Sequence, residues 1–276
     1  MTVVTPTATD DRVKARSSLS TLFGMPAIGA LIGAIAIAVL FLAVAPAFRN
    51  IANIGTILYT CSVIGIMAVF VALLMIGGEF DLSTGVAVTT SGLTAAHASW
   101  YLGLNVWVGV LLALLFSLAI GAFNGFLLHK TGLPSFLVTL GSFFVLAGAN
   151  LAMTRLIAGG VSSNRINDMD GFNSAKAVFA SQFNIGSINI KIPVVYWILL
   201  TILLSWVLLR TKVGNWILAT GGDDKAARAV GVPVVAVKIG LFMGTGFGAW
   251  LVGMHNLFEY NTIQSGVGVG YEFIYI

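Results

Sequence analysis

Seven apolar runs separated by short polar segments dominate the sequence: Ala27–Phe48, Ile51–Ile76, Val86–Trp100, Val106–Leu128, Phe136–Ile157, Val194–Leu209 and Ile239–Leu257. A helix needs about 20 predominantly apolar residues to cross a bilayer. A barrel strand needs only ~10, with alternating polarity. These runs are continuous, with Leu, Ala and Gly on all sides, so the pattern is helical. Only 9% of the 276 residues are charged, against ~25% in a soluble domain. So few charges cannot cover a soluble fold, which excludes a soluble enzyme, a disordered linker and a disulfide scaffold. The expectation is an all-α, polytopic helical membrane protein with about seven to eight transmembrane helices.

The two shortest runs are expected to borrow flanking residues, Ser83–Gly85 and Ile192–Pro193. The last apolar stretch, Tyr271–Ile276, is too short to cross. The first run exceeds a signal-peptide core of 7–15 residues and reads as a retained span. Residues 1–26 then form a polar tail and 27–276 the transmembrane domain. The single cysteine, Cys61, excludes an intrachain disulfide framework and reads as a small buried apolar side chain.

Sidedness follows from Lys and Arg in the loops. With the N-terminus inside, Arg12, Lys14, Arg16, Lys130, Arg210, Lys212, Lys225, Arg228 and Lys238 lie inside. Arg49, Arg155, Arg165, Lys176 and Lys191 lie outside. Six spans precede the basic Arg210–Lys238 segment, so parity also puts it inside. The polar stretch from Ala158 to Ile192 is then outside and long enough to receive a partner. The basic residues sit in short loops between apolar runs, so the net charge of +4 is not a sign of nucleic-acid binding.

Three constellations stand out. In Gly77-Gly78-Glu79-Phe80-Asp81-Leu82-Ser83-Thr84-Gly85, two carboxylates follow a helix-breaking glycine pair. Ionisable groups at membrane depth cost about 2.5–3.5 kcal/mol each and tend to face a cavity or partner. The segment therefore reads either as a broken or re-entrant element, with Asp81 or Ser83 capping the next helix, or as a short aqueous turn. In Asn124–Gly141, Gly132 and Pro134 end one helix and Ser135 can cap the next, with Gly121, Ala122 and Gly125 allowing close helix packing. In Gly214–Pro233, Asp223 can cap a helix over Lys225–Val230 that Gly231 stops. This short helix fits either a docking peg or an amphipathic connector. The segments Gly132–Gly141 and Gly231–Gly240 share the pattern G-[LV]-P-x-x-x-V-x-[LI]-G, a hint of internal repetition. The three histidines have no metal-ligand spacing, and no P-loop or hydrolase signature is present.

In order, the three blocks resemble the permease subunits of ribose-type ABC importers for simple sugars. Gly77–Gly85 is similar to that family's G-G-x-D-L-S-x-G signature, with Phe80 as a one-residue insertion. Asn124–Gly141 is similar to its N-G-x-L…P-S-F-x-x-T-L-G block. Gly214–Val232 is similar to its cytoplasmic block through Ala219, Gly221, Ala226, Ala227, Arg228 and Gly231. The resemblance covers about residues 50–276 and implies a multi-pass protein of the bacterial inner membrane with a cytoplasmic N-terminus. It implies a cytosolic ABC ATPase, a periplasmic sugar-binding protein and a second permease chain, giving a homodimer, as partners. ATP is then used by the partner, and no cofactor is bound by this chain. Members of the family continue beyond the region matching Tyr271-Glu272, so the chain reads as truncated at its C-terminus.

On this reading the work is alternating access without bond chemistry. Glu79, Asp81, Ser83, Asn124, Ser135, Phe136 and Thr139 are the expected substrate path, because sugar hydroxyls need paired donors and acceptors and a flat apolar face. Gly221, Asp223, Asp224, Ala226, Ala227, Arg228 and Gly231 are the expected ATPase-coupling loop. The rival is an ion-coupled secondary transporter in which Glu79 and Asp81 titrate.

Overall fold

The computed structural model describes residues 26–276, so the N-terminal tail with Arg12, Lys14 and Arg16 lies outside the described residues. The chain parts after Asn53 into two units. In the first, helix α1 (Pro26–Val44) is followed by a 3-10 turn, Pro46–Arg49. Arg49 Nε donates to the Leu42 carbonyl (2.6 Å), closing the last carbonyls of α1 where a cation is favourable. Its leucines and isoleucines at 31, 32, 35, 37 and 40 are exposed on every side.

The second unit is a helical bundle: α2 (Ala52–Ile76), α3 (Thr84–Leu102), α4 (Val106–Thr131), α5 (Ser135–Ala158), α6 (Phe172–Phe179), α7 (Ile192–Arg210), α8 (Lys212–Gly222), α9 (Asp224–Ala229), α10 (Val234–Tyr260) and α11 (Glu272–Tyr275). An antiparallel hairpin, β1 (Gln182–Ile185) and β2 (Ile188–Lys191), pairs Gln182 with Lys191 and precedes α7. Among the described residues, five helices are long and apolar enough to cross a membrane: α2, α4, α5, α7 and α10. On α7 only Pro193 and Val194 are buried, while Ile198, Leu199, Ile202, Leu203 and Trp206 are exposed. Such a surface would aggregate in water and is a lipid boundary in a bilayer. Both short runs do borrow their flanks, since α3 starts at Thr84 and α7 at Ile192.

Helix α3 is the axis of the bundle. It is rich in Thr and Ser, yet 14 of its 19 residues are buried, so protein surrounds it on nearly every side. Three of its hydroxyls bond backbone carbonyls: Thr90 on Val86 (2.8 Å), Thr94 on Thr90 (2.7 Å) and Ser91 on Val88 (2.9 Å) or on Ala249 of α10 (3.1 Å). Small residues let α4 and α10 cross closely: a Cβ at Gly125 would lie 2.8 Å from Ile239 Cα, and Gly121 and Gly246 face the Phe242 and Ser117 carbonyls.

Cys61 is a correction to the expectation of burial: it is exposed. The buried seam of α2 runs through Ser62, Ile66, Phe70 and Leu74, at i, i+4 spacing, and position 61 falls just off it.

Candidate functional site

Helix α2 ends in a Schellman motif. Glu79 N donates to the Leu74 carbonyl (3.1 Å) and Gly78 N to Met75 (3.0 Å), with Gly78 at φ +83°. This left-handed residue is why the glycine pair is needed. The chain then makes a tight buried turn before α3: Glu79, Asp81 and Ser83 are 9%, 3% and 1% exposed, so the aqueous-turn alternative does not describe it.

The turn is held by bonds within itself and by partners from α4, α5 and α10. Phe80 N donates to Ser135 Oγ and Leu82 N to Thr139 Oγ1, both 3.0 Å. Ser135 was expected to cap α5, but Pro134 takes that position, because the buried Phe80 amide has no helical acceptor and claims the hydroxyl. Asp81 Oδ1 accepts from Ser83 N (2.8 Å) and Ser83 Oγ (2.6 Å). Thr245 Oγ1 of α10 shares its proton between Asp81 Oδ2 (3.2 Å) and the Phe242 carbonyl (2.8 Å). Ser83 Oγ accepts from Asn124 Nδ2 of α4 (3.1 Å), and Asn124 Oδ1 accepts from Ser142 of α5 (2.5 Å). The Ser83 side chain therefore does not cap α3. Burial pushes the Asp81 carboxyl above its ordinary range, opposed by the Ser83 and Thr245 hydrogen bonds.

Six of the seven expected path residues thus converge: Glu79, Asp81, Ser83, Asn124, Ser135 and Thr139. Phe136 stands apart, half exposed on α5. Asp81, Ser83 and Asn124 are linked to one another, Ser135 and Thr139 hold backbone amides of the turn, and Glu79 pairs with Lys238. Asp81 and Ser83 line a cleft of about 10 Å³ with Gly121 and Thr245.

Helix α9 forms as its capping residue predicts. Asp223 Oδ1 accepts from Lys225 N (2.7 Å) and Ala226 N (3.1 Å), and Gly231 at φ +84° ends the segment. Ala227 is buried, while Gly221, Asp223, Ala226, Arg228 and Gly231 are exposed. Gly221 abuts the end of α2 so closely that a side chain would collide with the Ile76 carbonyl. Lys238, in the second turn of α10, pairs with Glu79 Oε1 (2.5 Å) and with Asp224. The α2–α3 turn, the start of α5 and the α8–α9 segment therefore share one end of the unit, as parity predicts. At the other end, Val106 N donates to Asp170 (2.9 Å), Lys191 pairs with Glu259 (2.5 Å) and His255 Nδ1 meets the Phe179 carbonyl (2.8 Å).

A roomy cavity, about 550 Å³, lies along α3. Its walls are the first half of α2 (Tyr59, Thr60), α3 (Gly85, Val88, Thr89), the end of α10 (Asn256, Tyr260) and the segment after it (Gln264, Tyr271). Ser163 N donates to the Ile263 carbonyl (2.8 Å), tying that segment to the stretch after α5, and the backbone at Gly268 meets that at Gly85 of α3. No charged side chain of the described residues lines this space. Sequence reasoning missed it because its polar groups come one or two per element. Tyrosines at span ends read simply as interfacial anchors.

A family model described as "branched-chain amino acid transport system / permease component" matches residues 53–276. The chain is 31% identical over 229 residues to the ribose import permease protein of Escherichia coli strain K12, covering 82% of this chain and 68% of that protein. It is 28% identical over 245 residues to the L-arabinose transport system permease protein of the same strain, covering 87% and 70%. The autoinducer 2 import system permease protein of Enterobacter sp. strain 638 is 27% identical over 207 residues, covering 74% of this chain and 60% of that protein. No solved structure matches.

Proposed function

Because the chain belongs to the branched-chain amino acid transport system / permease component family, we propose that it is the membrane-spanning permease subunit of an ATP-binding-cassette importer for a monosaccharide or related small polyol. The observation that carries the choice of solute is the cavity along α3. It offers hydroxyls and amides from Thr60, Thr89, Asn256 and Gln264, and the rings of Tyr59, Tyr260 and Tyr271, with no charge among the described lining residues. Sugar hydroxyls find both donors and acceptors there. The zwitterion of an amino acid would lose its hydration to both charged ends without a counter-charge, which is strongly unfavourable. The similarity to permeases named for ribose and L-arabinose supports the same choice.

In this reading the end carrying α8 and α9 is cytoplasmic, the N-terminus is cytoplasmic and the 158–192 segment faces the periplasm, where a sugar-loaded binding protein delivers its solute. The protein sits in the bacterial inner membrane, and a second copy completes the pore. ATP is hydrolysed by a cytosolic partner, and this chain holds neither an ATPase site nor a cofactor. Helix α9 is the docking element: exposed Arg228 stands beside exposed Val230, a cation next to an apolar knob. Similarity to permease components and import permeases favours this reading over an ion-coupled carrier that titrates Glu79 and Asp81.

The test is co-purification with a cytosolic ABC ATPase from the same cell, followed by uptake into vesicles. Arg228→Glu, or deletion of residues 223–229, is expected to cut co-purification at least tenfold. Association retained after both changes would overturn the docking assignment. Asn256→Leu is expected to leave the ATPase bound and lower uptake about tenfold, the loss of roughly one hydrogen bond or 1.4 kcal/mol. Uptake unchanged by Asn256→Leu would exclude the cavity as the solute site.

A further inference from the structure

Lys238 lies between two elements with no sequence proximity. Its Nζ pairs with Glu79 in the α2–α3 turn and with Asp224, the first residue of α9. Its side chain is only 16% exposed and that of Glu79 9%, so this pair is weakly screened, while Asp224, at 35%, holds the ammonium from the more exposed side. The other junction between these elements is steric, Gly221 of α8 seated on the Ile76 carbonyl and Gly77. A steric contact transmits a push but no pull, whereas an ion pair resists separation and transmits both. Beyond Glu79 the turn is tied through Phe80 N, Leu82 N, Asp81 and Ser83 to α5, α10 and α4. It continues directly into Gly85, Val88 and Thr89, one wall of the cavity.

We propose that Lys238 is the joint that couples the α8–α9 segment to the solute cavity, so that displacement of α9 in either direction carries the α2–α3 turn and the N-terminal half of α3 with it. The proposal rests on the permease reading above and deepens it. Lys238 is a positioning residue: it touches neither solute nor nucleotide. The same arrangement gives the buried Glu79 carboxylate its counter-charge. Glu79 and Asp224 share one ammonium, and each belongs to a different moving part.

The experiment uses this chain reconstituted in proteoliposomes with its ATPase and a solute-loaded binding protein, and reads solute taken up per ATP hydrolysed. Lys238→Met is expected to leave ATPase co-purification and basal hydrolysis within twofold of the unaltered complex, while uptake per ATP falls at least tenfold. Lys238→Arg, which keeps the charge, is expected to restore the ratio to within threefold. Glu79→Gln, nearly isosteric, gives the same loss should Lys238→Met fold poorly. Uptake per ATP within twofold of normal in Lys238→Met or Glu79→Gln would overturn the proposal. Failure of Lys238→Arg to rescue would do the same, because it would make the role one of packing. Absence of ATP-dependent uptake in the unaltered complex would instead remove the permease reading itself.

Discussion

Gly253→Leu is expected to abolish recovery of monodisperse protein in detergent. Helix α10 crosses the central helix α3 at this glycine. A Cβ there would overlap Ser91 Oγ, lie 2.5 Å from the Val88 carbonyl and approach Gly92 N at 3.2 Å. Even Gly253→Ala forces two of the most buried helices apart, at a cost of about 3 kcal/mol, the upper end for overpacking. The larger side chain exceeds that. Ser91→Ala cannot fully rescue it, because the Val88 carbonyl is backbone and stays in place. Gly244→Ala supplies the control on the same helix. Its Cβ would meet only Phe70 Cδ1, at 3.5 Å, an ordinary contact, so thermal unfolding in detergent should be unchanged. Equal recovery of Gly253→Leu and Gly244→Ala would show that the α3–α10 crossing is not close-packed.

Asp81→Ala should lower the unfolding midpoint in detergent by about 10 °C and abolish uptake. The carboxylate accepts from Ser83 N, Ser83 Oγ and Thr245. Its removal leaves buried donors unpaired at ~1–3 kcal/mol each, a total near 3 kcal/mol, and each kcal/mol is worth roughly 2–4 °C for a chain of this size. Asp81→Asn keeps an acceptor for the Ser83 amide, so it should recover most of the stability. A midpoint for Asp81→Ala within 2 °C of normal would mean that the turn is held by its other bonds alone. Uptake by stable Asp81→Asn then separates anchoring the turn from any need for a negative charge.

The helix ends were legible residue by residue because their causes are local. Asp223 caps α9 and Gly231 ends the segment, Gly78 closes α2, and Gly132 and Gly231, at φ +67° and +84°, precede the prolines that start α5 and α10. The two glycine-proline segments that share a sequence pattern therefore share a left-handed glycine and a proline N-cap, although the prolines differ in ψ, 141° at Pro134 and 67° at Pro233. Ser135 illustrates the limit. A serine at a helix start reads as a cap, yet its hydroxyl is taken by an amide 55 positions away. Nothing within its own neighbourhood announces that demand. The same holds for Lys238, which as sequence was one more inside cation.

By itself the sequence determined that the chain is a bundle of membrane helices, where most of those helices stop, and which loops share a side, though α10 starts at Val234, five residues before the apolar run read at Ile239. Each depends on run length, charge and capping residues within a few positions. Only the tertiary structure decided that the hydroxyl-rich Thr84–Leu102 helix is the buried axis of the bundle, and that the carboxylates at 79 and 81 anchor a turn. It likewise decided that the roomy cavity is walled by residues from 59 to 275. The reason is physical: a buried polar group must be paired, and the partner comes from whichever helix packs against it, at a separation that no periodicity encodes.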